Sequence, residues 1–266
     1  MGKTIHRWLI VVAAVCGLGA FAPVAPAAAD NAVRTVLITG SNRGIGLGLA
    51  SAYAAKGWRV IATCRDPAAA SDLNALAIAH PNLVVKQLDV TDADQVRLLA
   101  VAIEGRAIDV LINNSGIAGN IEDQQVGKMD LNEFERVLAV NTVGPLRVAE
   151  ALLPNIVAGT ERKIVNISTS EASFGVDRGP GRIPFYRASK AGLNMLMLNY
   201  AKLLAKDGIA VALINPGPVD TDMMKGARMP LRSVELAVSE LIAVVDQVNI
   251  ENTGRFWNYD GKTLPW

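Results

Sequence analysis

The chain has 266 residues, 51% of them hydrophobic, with 26 basic and 25 acidic side chains and a formal net charge of +1. Proteins that bind nucleic acid usually carry a basic excess or a basic stripe, so this balance gives no reason to expect a nucleic-acid partner. The length fits one α/β domain of roughly 230 residues preceded by a short additional segment.

The first segment has the composition of a secretory signal peptide. Its basic residues Lys3, His6 and Arg7 precede an uncharged apolar run from Trp8 to Ala22, and a run of three alanines ends at Ala29. These are the regions of a cleavable signal, and the apolar run is shorter than the roughly 20 residues of a membrane span. We therefore predict a signal peptide at residues 1–29 and a folded domain at residues 30–266.

The signal peptide indicates an exported protein, either periplasmic or secreted. An uncleaved N-terminal anchor is the first alternative, and residues 8–22 would then contact a membrane. A true start near Val33 is the second alternative, and it would place the protein in the cytoplasm.

Cleavage would leave Cys64 as the only cysteine and His80 as the only histidine. An intramolecular disulfide is then impossible, and a structural zinc site lacks its usual ligands, so we predict no metal. A histidine-based nucleophile triad would depend on His80, which lies in a polar turn. Catalysis would therefore use Tyr, Lys, Ser, Thr, Asn or carboxylate side chains together with an organic cofactor.

Short β-branched runs alternate with longer helical stretches along the rest of the chain. The predicted strands are Val36–Thr39, Arg59–Thr63, Leu83–Leu88, Val110–Ile112, Ile164–Ile167 and Val211–Ile214, and the main predicted helices are Ile45–Lys56, Leu131–Val157 and Ala188–Ala205. Buried strands that alternate with helices indicate a parallel sheet with right-handed crossovers, covered on both faces. We predict a single doubly wound α/β domain with about seven strands.

A glycine-rich turn, Thr39-Gly40-Ser41-Asn42-Arg43-Gly44-Ile45-Gly46, joins the first strand to the first helix. Glycine permits a positive φ angle and a close approach of backbone to phosphate. The helix N-terminus beyond the turn offers free N–H groups and a positive dipole to a pyrophosphate. The turn therefore predicts a dinucleotide site at the start of the domain.

The end of the second strand indicates which dinucleotide would bind. A site selective for NAD usually has a carboxylate there for the ribose 2′-hydroxyl, whereas this chain has Cys64 followed by Arg65. Arg43 of the glycine turn is close to where the same ribose would lie. Two guanidinium groups favour a 2′-phosphate, so we predict NADP(H), with Asp66 in a surface turn.

Tyr186 and Lys190 are four residues apart at the start of a predicted helix, and so they share one helix face. A tyrosine phenol titrates near pH 10, and a neighbouring ammonium group lowers that pKa toward a useful range. The pair can therefore serve as an acid/base device, and Lys190 could also bind a cofactor ribose. Taken alone, this spacing is more often found on an amphipathic surface helix without a catalytic role.

Six motifs occur in one order along the chain. They are the glycine turn, Asn113-Asn114-Ser115-Gly116, Asn141, the Ser/Thr cluster after Asn166, Tyr186-x-x-x-Lys190 and Asn215-Pro216-Gly217. In this order they resemble the short-chain dehydrogenase/reductase family, which has the Rossmann fold, over essentially all of residues 33–266. The Tyr-Arg-Ala-Ser-Lys-Ala sequence at Tyr186 and the terminal run Gly254–Gly261 are similar to C-factor-like members.

The resemblance implies a role for each motif. Tyr186 would exchange a proton with the substrate oxygen, Lys190 would bind the nicotinamide ribose and lower the Tyr186 pKa, and Asn141 would hold a water that relays protons. Residues implied to bind the cofactor are Gly40, Ser41, Asn42, Arg43, Gly44, Ile45, Gly46, Arg65, Asp89, Val90, Asn114, Gly116, Tyr186, Lys190, Pro216, Gly217, Val219 and Thr221. Capping for Asp89 and helix packing for Asn141 are the structural alternatives.

The Ser/Thr cluster departs from the family pattern, which places a catalytic Ser three residues after the Asn of this strand. Thr169 occupies that position here, and its hydroxyl can make the same hydrogen bonds although its methyl group restricts the rotamer. Ser170 could reach the substrate if the strand end bulges. Ser168 is disfavoured because strand alternation would turn it away. We favour Thr169 over Ser170.

These expectations combine into an NADP(H)-dependent oxidoreductase that interconverts a carbonyl and a primary or secondary alcohol on a small-molecule substrate. The alternative is a non-catalytic nucleotide-binding or signalling protein that acts through protein contacts. The resemblance also implies a homo-oligomer. The short segment from Met223 to Pro230 predicts an open, apolar substrate pocket.

Overall fold

Apolar and β-branched runs form seven strands in the described part of the chain. The computed structural model describes residues 33–176, 179 and 181–266. The strands are β1 (Thr35–Ile38), β2 (Arg59–Cys64), β3 (Leu83–Gln87), β4 (Val110–Asn113), β5 (Lys163–Ile167), β6 (Ala210–Asn215) and β7 (Phe256–Asn258). All neighbours are parallel, in the order β3-β2-β1-β4-β5-β6-β7. The order reverses between β1 and β4, and such a switch point opens a crevice beyond the carboxyl ends of the strands.

Eight α-helices connect these strands within the same described residues. They are α1 (Gly44–Ala55), α2 (Ser71–Ala79), α3 (Ala93–Ala102), α4 (Leu131–Leu138), α5 (Gly144–Ala151), α6 (Leu153–Val157), α7 (Pro184–Leu204) and α8 (Val234–Gln247). A π-helical turn, Ala139–Val143, joins α4 to α5.

Strand β1 shows how the sheet buries both of its faces. Val36 and Ile38 belong to an apolar cluster with residues of α1, α2 and α8, while Leu37 belongs to a second cluster with residues of α3, α5 and α7. All three side chains are fully buried. Successive strand residues point to opposite faces, so a wholly apolar strand requires helices on both sides. The predicted single doubly wound Rossmann domain is confirmed.

The predicted helical stretch Leu131–Val157 is confirmed, and the structure divides it into α4, the π turn, α5 and α6. Proline lies in the first turn of both later helices, at Pro145 in α5 and Pro154 in α6. Proline has no N–H and clashes with the preceding turn, so it is favoured at a helix start and breaks a helix interior. The six predicted strands agree with the observed ones to within a residue at each end, and the pattern did not locate β7.

Within the described residues, no helix combines the length and the apolar character that crossing a membrane requires. The predicted signal peptide at residues 1–29 lies outside the described residues. Export therefore stays a prediction.

Candidate active site

A crevice of about 840 Å³ lies at the carboxyl edge of the sheet. Its walls come from the glycine turn and from the segments that follow β2, β3, β4, β5 and β6. Nearly all of the predicted site residues line it: Gly40, Asn42, Arg43, Gly44, Ile45, Gly46, Arg65, Asp89, Val90, Asn114, Gly116, Thr169, Ser170, Tyr186, Lys190, Pro216, Gly217, Val219 and Thr221. Parallel strands bring these segments to one edge although they are far apart in the chain.

Two predicted residues, Ser41 and Asn141, are not among the residues that line the crevice. Ser41 is fully buried, and its hydroxyl donates to the Ile38 carbonyl at 2.9 Å while its N–H donates to the Thr63 carbonyl at 2.8 Å. These bonds tie the turn to β1 and β2. In this structure Ser41 supports the turn from beneath.

The glycine turn needs glycine at two positions for different reasons. Gly44 has a φ of +53°, in the left-handed region that other residues rarely adopt. A Cβ on Gly46 would lie only 2.1 Å from the Gly40 carbonyl oxygen. There is therefore no room for a side chain at Gly46, where the turn packs against the start of α1. The backbone of the turn faces the crevice instead.

The two arginines predicted to bind a 2′-phosphate both border the crevice. Arg43 immediately precedes α1 and forms an exposed ion pair with Asp222, with a distance of 2.9 Å between Nη1 and Oδ2. Arg65 is exposed and follows Cys64, which ends β2. The Asp66 carboxylate accepts hydrogen bonds from the N–H groups of residues 68 and 69, and so it caps the next turn.

Asp89 and Asn114 line the crevice, and hydrogen bonds fix both side chains. Asp89 Oδ1 accepts from the Thr91 N–H at 2.8 Å and from the Thr91 hydroxyl at 2.7 Å. Asn114 Nδ2 donates to the carbonyls of Thr39 and Gly40 at 3.0 and 2.9 Å. Asn114 therefore braces the glycine turn directly, a role that the chain pattern did not indicate.

Lys190 is almost completely buried on α7, and its Nζ donates to the Ile167 carbonyl at 2.7 Å. Burial disfavours the charged form and lowers the pKa of Lys190 to about 8. A Cβ on Gly116 would lie 3.6 Å from Nζ, so the loop after β4 packs close to the ammonium group.

Tyr186 is partly buried, one helical turn before Lys190. Burial raises the pKa of Tyr186 to about 12, the Thr169 hydrogen bond lowers it, and the charge of Glu171 raises it. We expected Lys190 to lower this pKa. In the structure, desolvation of the phenol has the larger effect and raises it.

The three hydroxyls after β5 have different partners. Thr169 is hydrogen-bonded to Tyr186 and accepts from the Glu171 N–H at 3.2 Å. The Ser168 hydroxyl donates to Asn194 Oδ1 at 2.6 Å, away from the phenol. Ser170 is nearly buried at the crevice wall. The geometry thus associates Thr169, rather than Ser168, with Tyr186.

Asn141 lies in the π turn, and its side chain is fully buried. Oδ1 accepts from the Ile117 N–H at 2.9 Å, and Nδ2 donates to the Ile117 carbonyl at 2.8 Å and to the Ser189 hydroxyl at 2.9 Å. Both amide hydrogens are therefore engaged, so this side chain fastens the loop after β4 to α7. It does not present a free donor for a relay water.

Arg232 and Tyr259 support the segment after β6, and sequence analysis missed both. The Arg232 guanidinium lies 3.6 Å from the Tyr259 ring centroid, donates to the Pro216 carbonyl at 3.0 Å and pairs with Glu240. A Cβ on Gly217 would lie 2.8 Å from the Tyr259 ring. The terminal Gly254–Gly261 motif was the only signal for this packing.

A doubly wound parallel sheet with a glycine turn at its switch point is the Rossmann architecture of dinucleotide-binding proteins. Residues 34–231 match the family model described as short chain dehydrogenase. The chain belongs to the short-chain dehydrogenase/reductase family, a family of oxidoreductases, and the predicted family resemblance is confirmed.

Three proteins illustrate the likeness. The chain is 34% identical over 236 residues to 1-hydroxy-2-glutathionyl-2-methyl-3-butene dehydrogenase of Rhodococcus sp. (strain AD45), covering 87% of this chain and 99% of that protein. It is 35% identical over 159 residues to the C-signal of Myxococcus xanthus, covering 60% and 93%. The NADPH-bound carbonyl reductase from chicken fatty liver superposes with a TM-score of 0.81 at 33% identity, covering 88% and 99%.

Proposed function

We propose that this protein is an NADP(H)-dependent oxidoreductase that interconverts a carbonyl and a primary or secondary alcohol. The observation that carries the proposal is the convergence of Tyr186, Lys190 and Thr169 on the crevice that also contains the glycine turn. A proton donor, a buried cation and a dinucleotide cradle in one crevice are the parts that carbonyl reduction needs.

The side-chain-free approach at Gly44 and Gly46 fits a pyrophosphate, and Arg43 with Arg65 fits a 2′-phosphate. Asp89, Val90, Asn114 and Gly116 would line the adenosine side. The segment Pro216, Gly217, Val219 and Thr221 would border the nicotinamide. The similar carbonyl reductase from chicken fatty liver is NADPH-bound, which supports this choice. NADP(H) would supply or accept the hydride.

Tyr186 would donate its proton to the substrate oxygen during reduction. A phenol whose pKa is about 12 keeps its proton at neutral pH and so is available as an acid. Lys190, with a pKa of about 8, is mostly charged at neutral pH and would stabilise the negative charge that develops on the phenol oxygen. Thr169 would hold the substrate oxygen beside the phenol.

The test is NADPH oxidation by the purified protein against a panel of aldehydes, ketones and quinones. Tyr186→Phe is expected to abolish turnover while leaving NADPH binding unchanged. Tyr200→Phe is the matched control, because Tyr200 lies on the same helix but packs in the apolar core. Full activity in Tyr186→Phe would overturn the proposed role of Tyr186.

The similarity to the C-signal favours a second candidate, a non-catalytic nucleotide-binding protein that signals through protein contacts. This candidate predicts tight NADPH binding with no turnover of any panel member. The placement of Tyr186 and Lys190 one turn apart on α7, both at the crevice, argues for catalysis, since nucleotide binding alone does not require a phenol there.

We also propose that the protein is exported and assembles as a homo-oligomer. Fractionation with N-terminal sequencing of the mature protein tests the first point, and a start near Val33 in cytosol would overturn it. Light scattering of the purified protein tests the second, and a monomeric mass would contradict it.

A further inference from the structure

The substrate end of the crevice holds a carboxylate that the proposed chemistry does not use. Glu171 belongs to the single 3₁₀ turn Ser170–Ala172 that follows Thr169, and it lines the crevice. Its side chain is about one third exposed. The charge acts on the site, since it raises the pKa of Tyr186.

Arg187 faces this carboxylate in an ion pair but does not donate a hydrogen bond to it. The distance between Arg187 Nε and Glu171 Oε2 is 3.7 Å, too long for a hydrogen bond. The same Nε donates instead to the main-chain carbonyl of Glu171 at 3.1 Å. The guanidinium therefore holds the backbone of the turn, and the carboxylate stays about one third exposed at the crevice wall.

Other charged groups near the substrate end have closer partners. Arg136 forms two hydrogen bonds of 2.7 Å to the Glu133 carboxylate. Asp222 pairs with Arg43 at 2.9 Å and with Lys225 at 2.5 Å. Glu171 thus differs from Asp222, whose carboxylate has two closer cationic partners.

The remaining wall at this end is apolar and adaptable. Six of the lining residues are Ile121, Ile183, Met223, Met224, Met229 and Leu264. Methionine side chains are flexible and polarizable, and they fit apolar partners of varied shape. Such a wall stabilises an apolar group.

We propose that Glu171 is a specificity-determining residue that selects neutral apolar carbonyl compounds and excludes anionic ones. The inference rests on the proposed function. A carboxylate on the substrate would lie within several ångströms of Glu171 in a partly desolvated crevice. Repulsion between like charges at such distances is large enough to change kcat/KM by about tenfold or more.

The test compares two substrates that differ in one charge, 4-formylbenzoate and its methyl ester, with NADPH in excess. The wild type should prefer the ester by about tenfold or more, and Glu171→Gln should remove most of that preference by accelerating the acid. Glu104→Gln is the matched control, because Glu104 is exposed and lies outside the crevice. It removes the same net charge and should leave the ratio unchanged.

Added salt gives an independent readout. The preference of the wild type should shrink as ionic strength rises, and that of Glu171→Gln should not change. A ratio unaffected by Glu171→Gln, with both substrates turned over, would overturn the inference and leave the proposed function intact. Absence of turnover of both substrates and of the wider carbonyl panel would instead overturn the proposed function.

Discussion

Lys190 carries an ionisable ammonium group in a buried environment that disfavours its charged form. It is 4% exposed, and its ammonium group donates a hydrogen bond to the Ile167 backbone carbonyl. The folded protein therefore bears a desolvation cost to keep the ammonium beside Tyr186. That cost is the physical basis of the lowered pKa of Lys190.

The pH dependence of stability should reveal this cost. Because the folded pKa is about 8 and the ordinary value is 10.5, the unfolded state binds more protons between these values. The free energy of unfolding should therefore rise through this window by about 1 kcal/mol per pH unit, relative to a Lys190→Met variant. Urea titrations of both proteins across the window measure it. Parallel pH profiles would contradict the lowered pKa of Lys190.

The hydroxyl cluster after β5 supplies a second prediction. Thr169→Ala removes the hydroxyl that is hydrogen-bonded to Tyr186 and should lower kcat/KM by about 100-fold, the usual effect of losing one oriented donor. Ser170→Ala should retain most activity. Steady-state kinetics with one aldehyde decides between them. Full activity in Thr169→Ala with a loss in Ser170→Ala would transfer the role to Ser170.

At the scale of elements, the junction between α4 and α5 fastens the site together. Its π turn directs Asn141 into three hydrogen bonds with Ile117 and Ser189, and these connect the loop after β4 to the tyrosine helix α7. These hydrogen bonds fix the loop after β4 relative to α7. The position of Tyr186 relative to that loop therefore depends on Asn141, which lies outside the crevice.

Asn141→Ala should therefore destabilise the protein by about 2–4 kcal/mol, because it leaves the Ile117 N–H and carbonyl without their partner. Asn199→Ala is the control, since Asn199 is exposed on α7 and bonds within its own helix. It should change stability by less than about 0.5 kcal/mol. Equal losses of unfolding free energy in the two variants, measured by urea denaturation, would contradict the stabilising role of the Asn141 hydrogen bonds.

At the scale of the whole molecule, the crevice joins segments from most of the sheet, so a ligand bound there should stabilise the entire domain. NADPH at about 100 times its Kd should add about 2.7 kcal/mol to the free energy of unfolding.

NADH at the same concentration should stabilise the protein less than NADPH, because it lacks the 2′-phosphate that Arg43 and Arg65 would bind. Thermal melts with each nucleotide measure the difference. In the double variant Arg43→Ala with Arg65→Ala the two shifts should converge, and a preserved NADPH advantage would contradict the assignment.

Patterns local in the chain predicted most of the fold. Apolar runs indicated six of the seven strands to within a residue, because a strand buried on both faces must be apolar throughout. The short β7 has no such run of its own and pairs only with β6, so its neighbours determine it. The helical stretch Leu131–Val157 was predicted correctly, but its division near Pro145 and Pro154 was not, because the helical periodicity continues across both prolines.

By itself, the sequence determined the sheet, the glycine turn and the order of the motifs, because each depends on neighbouring residues. Only the tertiary structure decided how the side chains pair. It associated Thr169 with Tyr186, turned Asn141 toward Ile117, buried Ser41 under the glycine turn and left the Glu171 carboxylate partly exposed at the crevice wall. The physical reason is that hydrogen bonding and desolvation depend on contacts between groups from distant parts of the chain. Local sequence patterns do not predict those contacts.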